Sequence, residues 1–110
     1  MKLSYVIKYV GDMEGAVRFY REQLGFKLRF QSSGWTEFET GETTLALHVA
    51  SAENPAGTTQ IGFSVPDLDH FYAEKRESGI EFTAEPTERF GNRIARFKDS
   101  EGAECSVSGK

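Results

Sequence analysis

The side chains able to do chemistry in this sequence are few, and most sit on short alternating stretches. His48 ends the run Leu45-Ala46-Leu47-His48, where its imidazole could serve as a general base or as a polar contact. The plainer reading is a histidine satisfied by a neighbouring hydroxyl or carboxylate. His70 falls early in a helix-like stretch and off its apolar stripe, so it is expected to face solvent. Cys105 is the single cysteine, which excludes an intrachain disulfide and a zinc cluster. It alternates with Glu104 and Ser106, turning its thiol toward a sheet–helix core, and no Cys–His pair surrounds it.

Alternation also groups the aromatics. Tyr5, Ile7 and Tyr9 share one strand face, and with Trp35 they could form an aromatic wall for a flat ligand or an organic cation. Glu37 and Glu39 share the face of Trp35 and add negative charge. The plainer alternative is that Trp35, beside the Ser32-Ser33-Gly34 turn, covers a rim or a dimer contact. Arg93 and Arg96 lie on opposite faces of one strand, and with Phe97 facing the core, Arg96 and Ile94 point the other way. A buried arginine needs a partner. An internal ion pair with a carboxylate such as Glu104 is expected, an anionic ligand being the alternative. The sequence holds no Ser-His-Asp arrangement, no phosphate-binding glycine loop and no convincing pair of catalytic carboxylates.

The elements that must position these residues come as an internal repeat. Residues 6–26 and 61–80 each run from a β-prone stretch through Val-x-Asp into about eleven helix-compatible residues, then Gly and an apolar residue. Asp12 and Asp67 are suited to cap helix N-termini. Met13, Ala16, Val17, Tyr20 and Leu24 predict one apolar stripe, and Leu68, Phe71 and Tyr72 begin its counterpart. Gly25 and Gly79 suit the left-handed residue that ends a helix.

After each helix, β-like runs are predicted at 26–31, 35–40 and 43–49, and again at about 80–85, 92–98 and 103–108. The stretch Glu88-Arg89-Phe90 with Gly91 reads as the longest irregular segment of the second half. The pattern predicts an α+β domain of two βαβββ modules, at about 3–50 and 59–108, joined by a linker over about 51–58. Two such curled mixed sheets, with helices on their convex sides, can face each other around a cavity.

Composition bounds the partners. Thirteen Lys plus Arg against seventeen Asp plus Glu give a net charge of −4 without a basic run, which argues against nucleic acid. No apolar run approaches membrane-spanning length and no signal-peptide pattern opens the chain, so a cytoplasmic protein without a membrane partner is expected.

Taken in order, Val10-Gly11-Asp12, Ala16-Val17-Arg18-Phe19-Tyr20, Leu24-Gly25-Phe26, Leu45-Ala46-Leu47-His48, Phe63-Ser64-Val65-Pro66-Asp67 and Phe97-Lys98-Asp99-Ser100-Glu101-Gly102 span nearly the whole chain. In these segments the sequence resembles the vicinal oxygen chelate superfamily, which includes glyoxalase I, extradiol dioxygenases, fosfomycin resistance enzymes and bleomycin resistance proteins. The resemblance implies that fold. For metal-using members it also implies four ligands, His or Gln, Glu, His or Gln, and Glu, on four strands.

Alignment on the shared motifs puts Tyr5, Ala46, Gln60 and Ser106 at those positions. Only Gln60 could serve, because Ala and Ser supply no carboxylate and neutral Tyr is a poor ligand. No cofactor is expected on this basis. A displaced divalent-metal set of His48, Gln60 and Glu104 requires shifts of two residues, roughly 6–7 Å along a strand, whereas ligands close on such metals at about 2.0–2.2 Å.

The expected cavity lining is Tyr5, Ile7, Tyr9, Trp35, Glu37, Ala46, His48, Gln60, Ile94, Arg96, Glu104 and Ser106. The resemblance further places the 88–91 segment at a ligand-site edge and implies a homodimer. The function expected is small-molecule binding without metal catalysis, as in the bleomycin resistance branch. A metal-dependent lyase, isomerase or dioxygenase with a non-standard ligand set, and a dimeric interaction module without a ligand, are the alternatives.

Overall fold

The computed structural model describes residues 1–89 and 91–110. Phe90, assigned above to an irregular segment, lies outside the described residues. In chain order the elements are β1 (Lys2–Val10), α1 (Met13–Arg18) continuing as a wider π turn (Phe19–Gln23), β2 (Lys27–Gln31), β3 (Trp35–Glu39), β4 (Thr44–Val49), β5 (Thr59–Val65), α2 (Leu68–Glu77), β6 (Phe82–Arg89), β7 (Asn92–Lys98) and β8 (Glu104–Gly109). They form two compact units, residues 4–60 and residues 61–110 with Met1–Leu3.

Each unit has the same plan. In residues 4–60 the strand order is β2-β3-β4-β1, with β1 and β4 parallel and the other neighbours antiparallel. In the second unit the order is β6-β7-β8-β5, with β5 and β8 parallel. The parallel pair in each unit requires a long crossover, which the helix and the two following strands supply. This is the α+β repeat expected from the sequence.

The repeated caps act alike. Asp12 Oδ1 accepts from the Gly15 backbone N–H at 3.1 Å, and Asp67 Oδ1 accepts from that of His70 at 3.0 Å. Each carboxylate satisfies a donor that the helix start leaves free. At the other ends Gly25 and Gly79 take φ of +79° and +106°, where a side chain would be strained.

Beneath each helix lies a separate apolar cluster. In residues 4–60, Val17 packs with Phe38 and Leu47, supported by Met13, Ala16, Tyr20, Phe26 and Leu28. In the second unit, Leu68 and Phe71 pack on Ala95, Phe97, Cys105 and Val107. The Cys105 thiol is therefore structural, as alternation predicted. Its pKa is pushed up by burial, and further by the nearby Asp99 and Glu104 carboxylates. His70 is exposed, with Nε2 3.4 Å from Glu74 Oε2.

Two expectations are corrected. Leu24 does not complete the stripe of the first helix; it is 52% exposed. The π turn is the cause, because Leu24 N–H bonds to Phe19 C=O at 3.1 Å, an i to i+5 span. The extra residue rotates Leu24 off the buried face, and Phe26 fills that place, closing on Tyr20 C=O at 3.0 Å.

Glu88 and Arg89, in turn, do not belong to an irregular segment. They extend β6, paired with Arg93 and Asn92 on β7. Pro86 suggests an earlier end, but β6 is the edge strand of its unit and its register shifts between Ala84 and Thr87. A proline is tolerated at such an edge bulge because no partner needs its missing N–H.

Candidate functional site

Strand alternation sorts the site residues onto the sheet faces turned away from the helices. In residues 4–60, Leu45 and Leu47 pack toward α1, so Thr44, Ala46 and His48 occupy the opposite face. Register then aligns the neighbours: Tyr5, Ile7 and Tyr9 on β1 stand beside Thr44, Ala46 and His48, while Trp35 and Glu37 on β3 stand opposite His48 and Ala46. Ile7, Tyr9 and Ala46 form a buried cluster there, with Tyr5 and Trp35 packed against it.

The aromatic rings are spaced for edge and tilted contacts. Tyr5 lies 6.0 Å from Trp35, Trp35 5.9 Å from the His48 ring, and His48 5.4 Å from Tyr9. Main-chain bonds hold Tyr9 in place: its N–H donates to Thr58 C=O at 2.9 Å, and its C=O accepts from Gly57 N–H at 2.9 Å. The linker thus serves as a support for the aromatic face.

Polar contacts orient the same residues. Trp35 Nε1–H donates to Glu37 Oε2 at 2.8 Å. The other Glu37 oxygen accepts from Arg29 Nε at 3.2 Å, and Arg29 also donates to the Thr44 hydroxyl. Glu37 therefore adds no free negative charge to the wall, because Arg29 neutralises it. Glu39 lies 3.9 Å from Lys27 Nζ in an exposed pair.

Arg29 and Thr44 were absent from the expected site. Arg29 is the extra residue of a bulge on β2, between Leu28, paired with Phe38, and Phe30, paired with Glu37, which leaves its side chain within reach of Glu37. The Tyr5 hydroxyl titrates above the ordinary tyrosine value, first through burial and then through the Glu37 carboxylate, with Arg29 opposing. It remains a neutral hydrogen-bonding group at physiological pH. His48 is exposed, and its Nδ1 lies 2.7 Å from Val49 C=O, so the backbone satisfies the ring instead of a hydroxyl or carboxylate. Gln60 is buried, at 7% exposure.

In the second unit, Ala95 and Phe97 face α2, which leaves Ile94 and Arg96 on the other face, opposite Ser108 and Ser106 of β8. The expected Arg96–Glu104 ion pair does not form. Glu104 Oε2 instead accepts from the Thr83 hydroxyl at 2.6 Å, and Arg96 makes no hydrogen bond or ion pair among the described residues. The edge strand β6 supplies that hydroxyl from a bulged segment, a cross-strand contact that alternation along β7 and β8 does not reveal. Arg93, on the helix side, is held by Asp69 at 2.7 and 2.8 Å.

The four strand positions where metal-using relatives carry ligands do not fit a divalent metal in this chain. Ala46 offers no donor and is sealed into the apolar cluster with Ile7 and Tyr9. Ser106 offers a hydroxyl where a carboxylate would be needed, and its cross-strand partner in the register is the cationic residue Arg96. Of the displaced set, His48 has Nδ1 engaged by its own strand and Glu104 is held by Thr83. Among the described residues, no three of His, Cys, Asp and Glu converge to hold a metal ion. Two open surface depressions lie along the helices, one at Tyr72, Ala73, Arg76 and Glu77 and one at Glu14, Val17, Arg18, Arg21, Glu22 and Gln31. Neither includes a residue of the aromatic face. Among the described residues no helix is long and apolar enough to cross a membrane.

Comparison with known proteins agrees with the strand order and the repeat. The uncharacterized protein YurT of Bacillus subtilis is 31% identical over 120 aligned positions, covering 93% of this chain and 94% of its own length. A methylmalonyl-CoA epimerase from Streptomyces coelicolor, solved with 2-nitronate-propionyl-CoA, superposes with a TM-score of 0.85 at 19% identity, over 100% of this chain and 94% of that one. A Vibrio splendidus protein of the glyoxalase/bleomycin resistance protein/dioxygenase superfamily superposes with a TM-score of 0.76 at 14% identity, over 99% and 100% of the two chains. The sequence profile of the Glyoxalase/Bleomycin resistance protein/Dioxygenase superfamily matches residues 2–107, and this chain, with its two βαβββ modules, belongs to that superfamily.

Proposed function

We propose that this protein binds a small organic molecule on the face formed by Tyr5, Tyr9, Trp35 and His48, and that binding needs no metal. The observation that carries this reading is the set of ring contacts among these four residues on a sheet face no helix covers. The part-exposed Tyr5 and Trp35 and the exposed His48 offer ring area backed by the buried Tyr9, and the indole N–H is already oriented, so little conformational entropy is lost when a flat ligand stacks on them. The apolar packing of Ala46 and the charge beside Ser106 favour binding over metal-assisted catalysis. A fold-mate solved with an acyl-CoA analogue supports small-molecule binding as a use of this architecture, without indicating the ligand.

We also propose a homodimer in the cytoplasm. The family resemblance supports the dimer, and a 110-residue chain with a single cysteine does not use the disulfide framework usual in small secreted domains. Light scattering at micromolar concentration should give twice the chain mass; the chain mass alone would remove the dimer.

Trp35 is the only tryptophan, so its emission reports on this face alone. Titration with a panel of neutral planar aromatics should quench or shift that emission and raise the melting temperature. A ligand at a hundredfold excess over Kd stabilises by about 2.7 kcal/mol. Zn²⁺, Mn²⁺ and Ni²⁺ should do neither. Stoichiometric metal uptake with no response to any aromatic probe would overturn the proposal and favour a metal enzyme.

A further inference from the structure

We infer that Arg96 and Ser106 form a recognition subsite for the carboxylate of a small monoanionic organic acid. The inference goes beyond the aromatic face, because both residues lie in the second unit. Arg93 and Arg96 are on the same strand and are both half-buried, yet among the described residues only Arg93 has a partner, bidentate on Asp69. Arg18, Arg21 and Arg89 also lack partners among the described residues, but they are exposed, where water serves them. Arg96 is half-buried, and a guanidinium there, with five donors and no acceptor, is short of acceptors.

Its cross-strand neighbours leave room for one. Register sets Arg96 between Ser106 on β8 and Ala84 on β6, two small side chains. Directly opposed residues on such strands lie about 4.5–5.5 Å apart at Cβ. The Ser106 hydroxyl, like the guanidinium, makes no side-chain hydrogen bond among the described residues. A fork of parallel N–H donors with a hydroxyl beside it matches a carboxylate, which accepts in a plane from both.

The surrounding charge selects a monoanion. Glu104, two residues from Ser106 on the same face, is held by Thr83, and Lys98 is drawn to Glu81 at 3.1 Å. One guanidinium in an acidic chain of net charge −4 balances a carboxylate but not a phosphate dianion.

The test follows arginine Nε–Hε resonances in ¹⁵N-labelled protein titrated with benzoate and, separately, with the uncharged benzamide, at constant ionic strength. The Arg96 signal, identified by its absence in R96K, should shift with benzoate and not with benzamide. R96Q should lower benzoate affinity by about tenfold or more, the scale of a lost charge-assisted contact. E104Q, which removes a competing negative charge, should raise it. Unchanged affinity in R96Q, equal Arg96 shifts with both probes, or shifts confined to Arg29 and Arg93 would overturn the assignment. Inorganic phosphate binding more tightly than benzoate would overturn the monocarboxylate. If R96Q fails to fold, the wild-type titration and E104Q still decide. Loss of the Trp35 response to neutral aromatics removes the aromatic reading alone, and loss of the Arg96 response removes this one alone.

Discussion

The indole N–H of Trp35 donates to a carboxylate two residues along its own strand, Glu37, at 2.8 Å. Glu37 is in turn fixed by Arg29 at 3.1 Å, so one buttressed carboxylate sets the orientation of the largest ring on the aromatic face. Replacing Glu37 with alanine should free the indole and leave Arg29 with Thr44 alone. Trp35 emission should move to longer wavelength, and affinity for neutral aromatic probes should fall about threefold to tenfold, the cost of a mobile contact side chain. Unaltered emission and affinity in E37A would show that packing alone positions Trp35.

Arg93 and Asp69 tie β7 to the first turn of α2. Their hydrogen bonds hold the Asp69 carboxyl below its ordinary value. A carboxylate with a lowered folded-state pKa contributes stability above its unfolded pKa, near about 3.9, and loses it as pH falls through the folded value. D69N should therefore melt below wild type at pH 7, by a small margin because Asp69 is exposed. The gap should narrow as pH drops below 4. A gap independent of pH would assign the effect to helix capping instead.

Cys105 should react slowly with thiol reagents in the native protein and at an ordinary rate once unfolded. Its raised pKa stabilises the neutral thiol in the fold. That contribution is full below the unfolded thiol value, near about 8.5, and is lost as pH rises through the folded one. Melting temperatures of wild type and C105A compared between pH 7 and 10 should converge at the alkaline end. Rapid native-state labelling with a disulfide reagent would contradict the buried placement.

Phe38 is fully buried against Tyr20 and Phe26, with centroids at 5.9 and 6.5 Å. Phe38→Ala should cost about 3–5 kcal/mol of unfolding free energy in urea denaturation, the usual cost of emptying an aromatic core position. A loss under 1 kcal/mol would mean that the cluster under α1 collapses to refill the space.

Gly109 pairs with Val65 where β8 meets β5. A side chain there would press on the Val65 carbonyl and approach Leu68 Cβ to 3.3 Å. Backbone cannot yield as a flexible side chain can, so Gly109→Val should lower the melting temperature more than Gly34→Val, where nothing lies within 4 Å. Equal effects would deny the close approach of these strands.

Periodicity and capping were local properties, and the chain displayed them openly. Asp12 and Asp67, the two glycine stops and the order of strands follow from short-range rules about free amides and left-handed backbone, so the βαβββ repeat could be read directly. The faces of β1, β3 and β4 were legible too, because side chains alternate along strands that pair without a bulge, and Tyr5, Ile7, Tyr9, Ala46 and His48 fall together for that reason.

Partnerships across strands were not legible. They depend on register, and register shifts at a bulge one residue long. Arg29, which pairs with Glu37, and Thr83, which rather than Arg96 holds Glu104, both lie at such bulges. The π turn that exposes Leu24 is likewise one inserted residue, and helical periodicity does not foresee it. The sequence by itself determined the family, the repeated modules and which side chains share a face. Only the tertiary structure decided which of those charges neutralise each other and which, at Arg96, is left for something else, because charge pairing is a matter of ångströms and alternation specifies only sides.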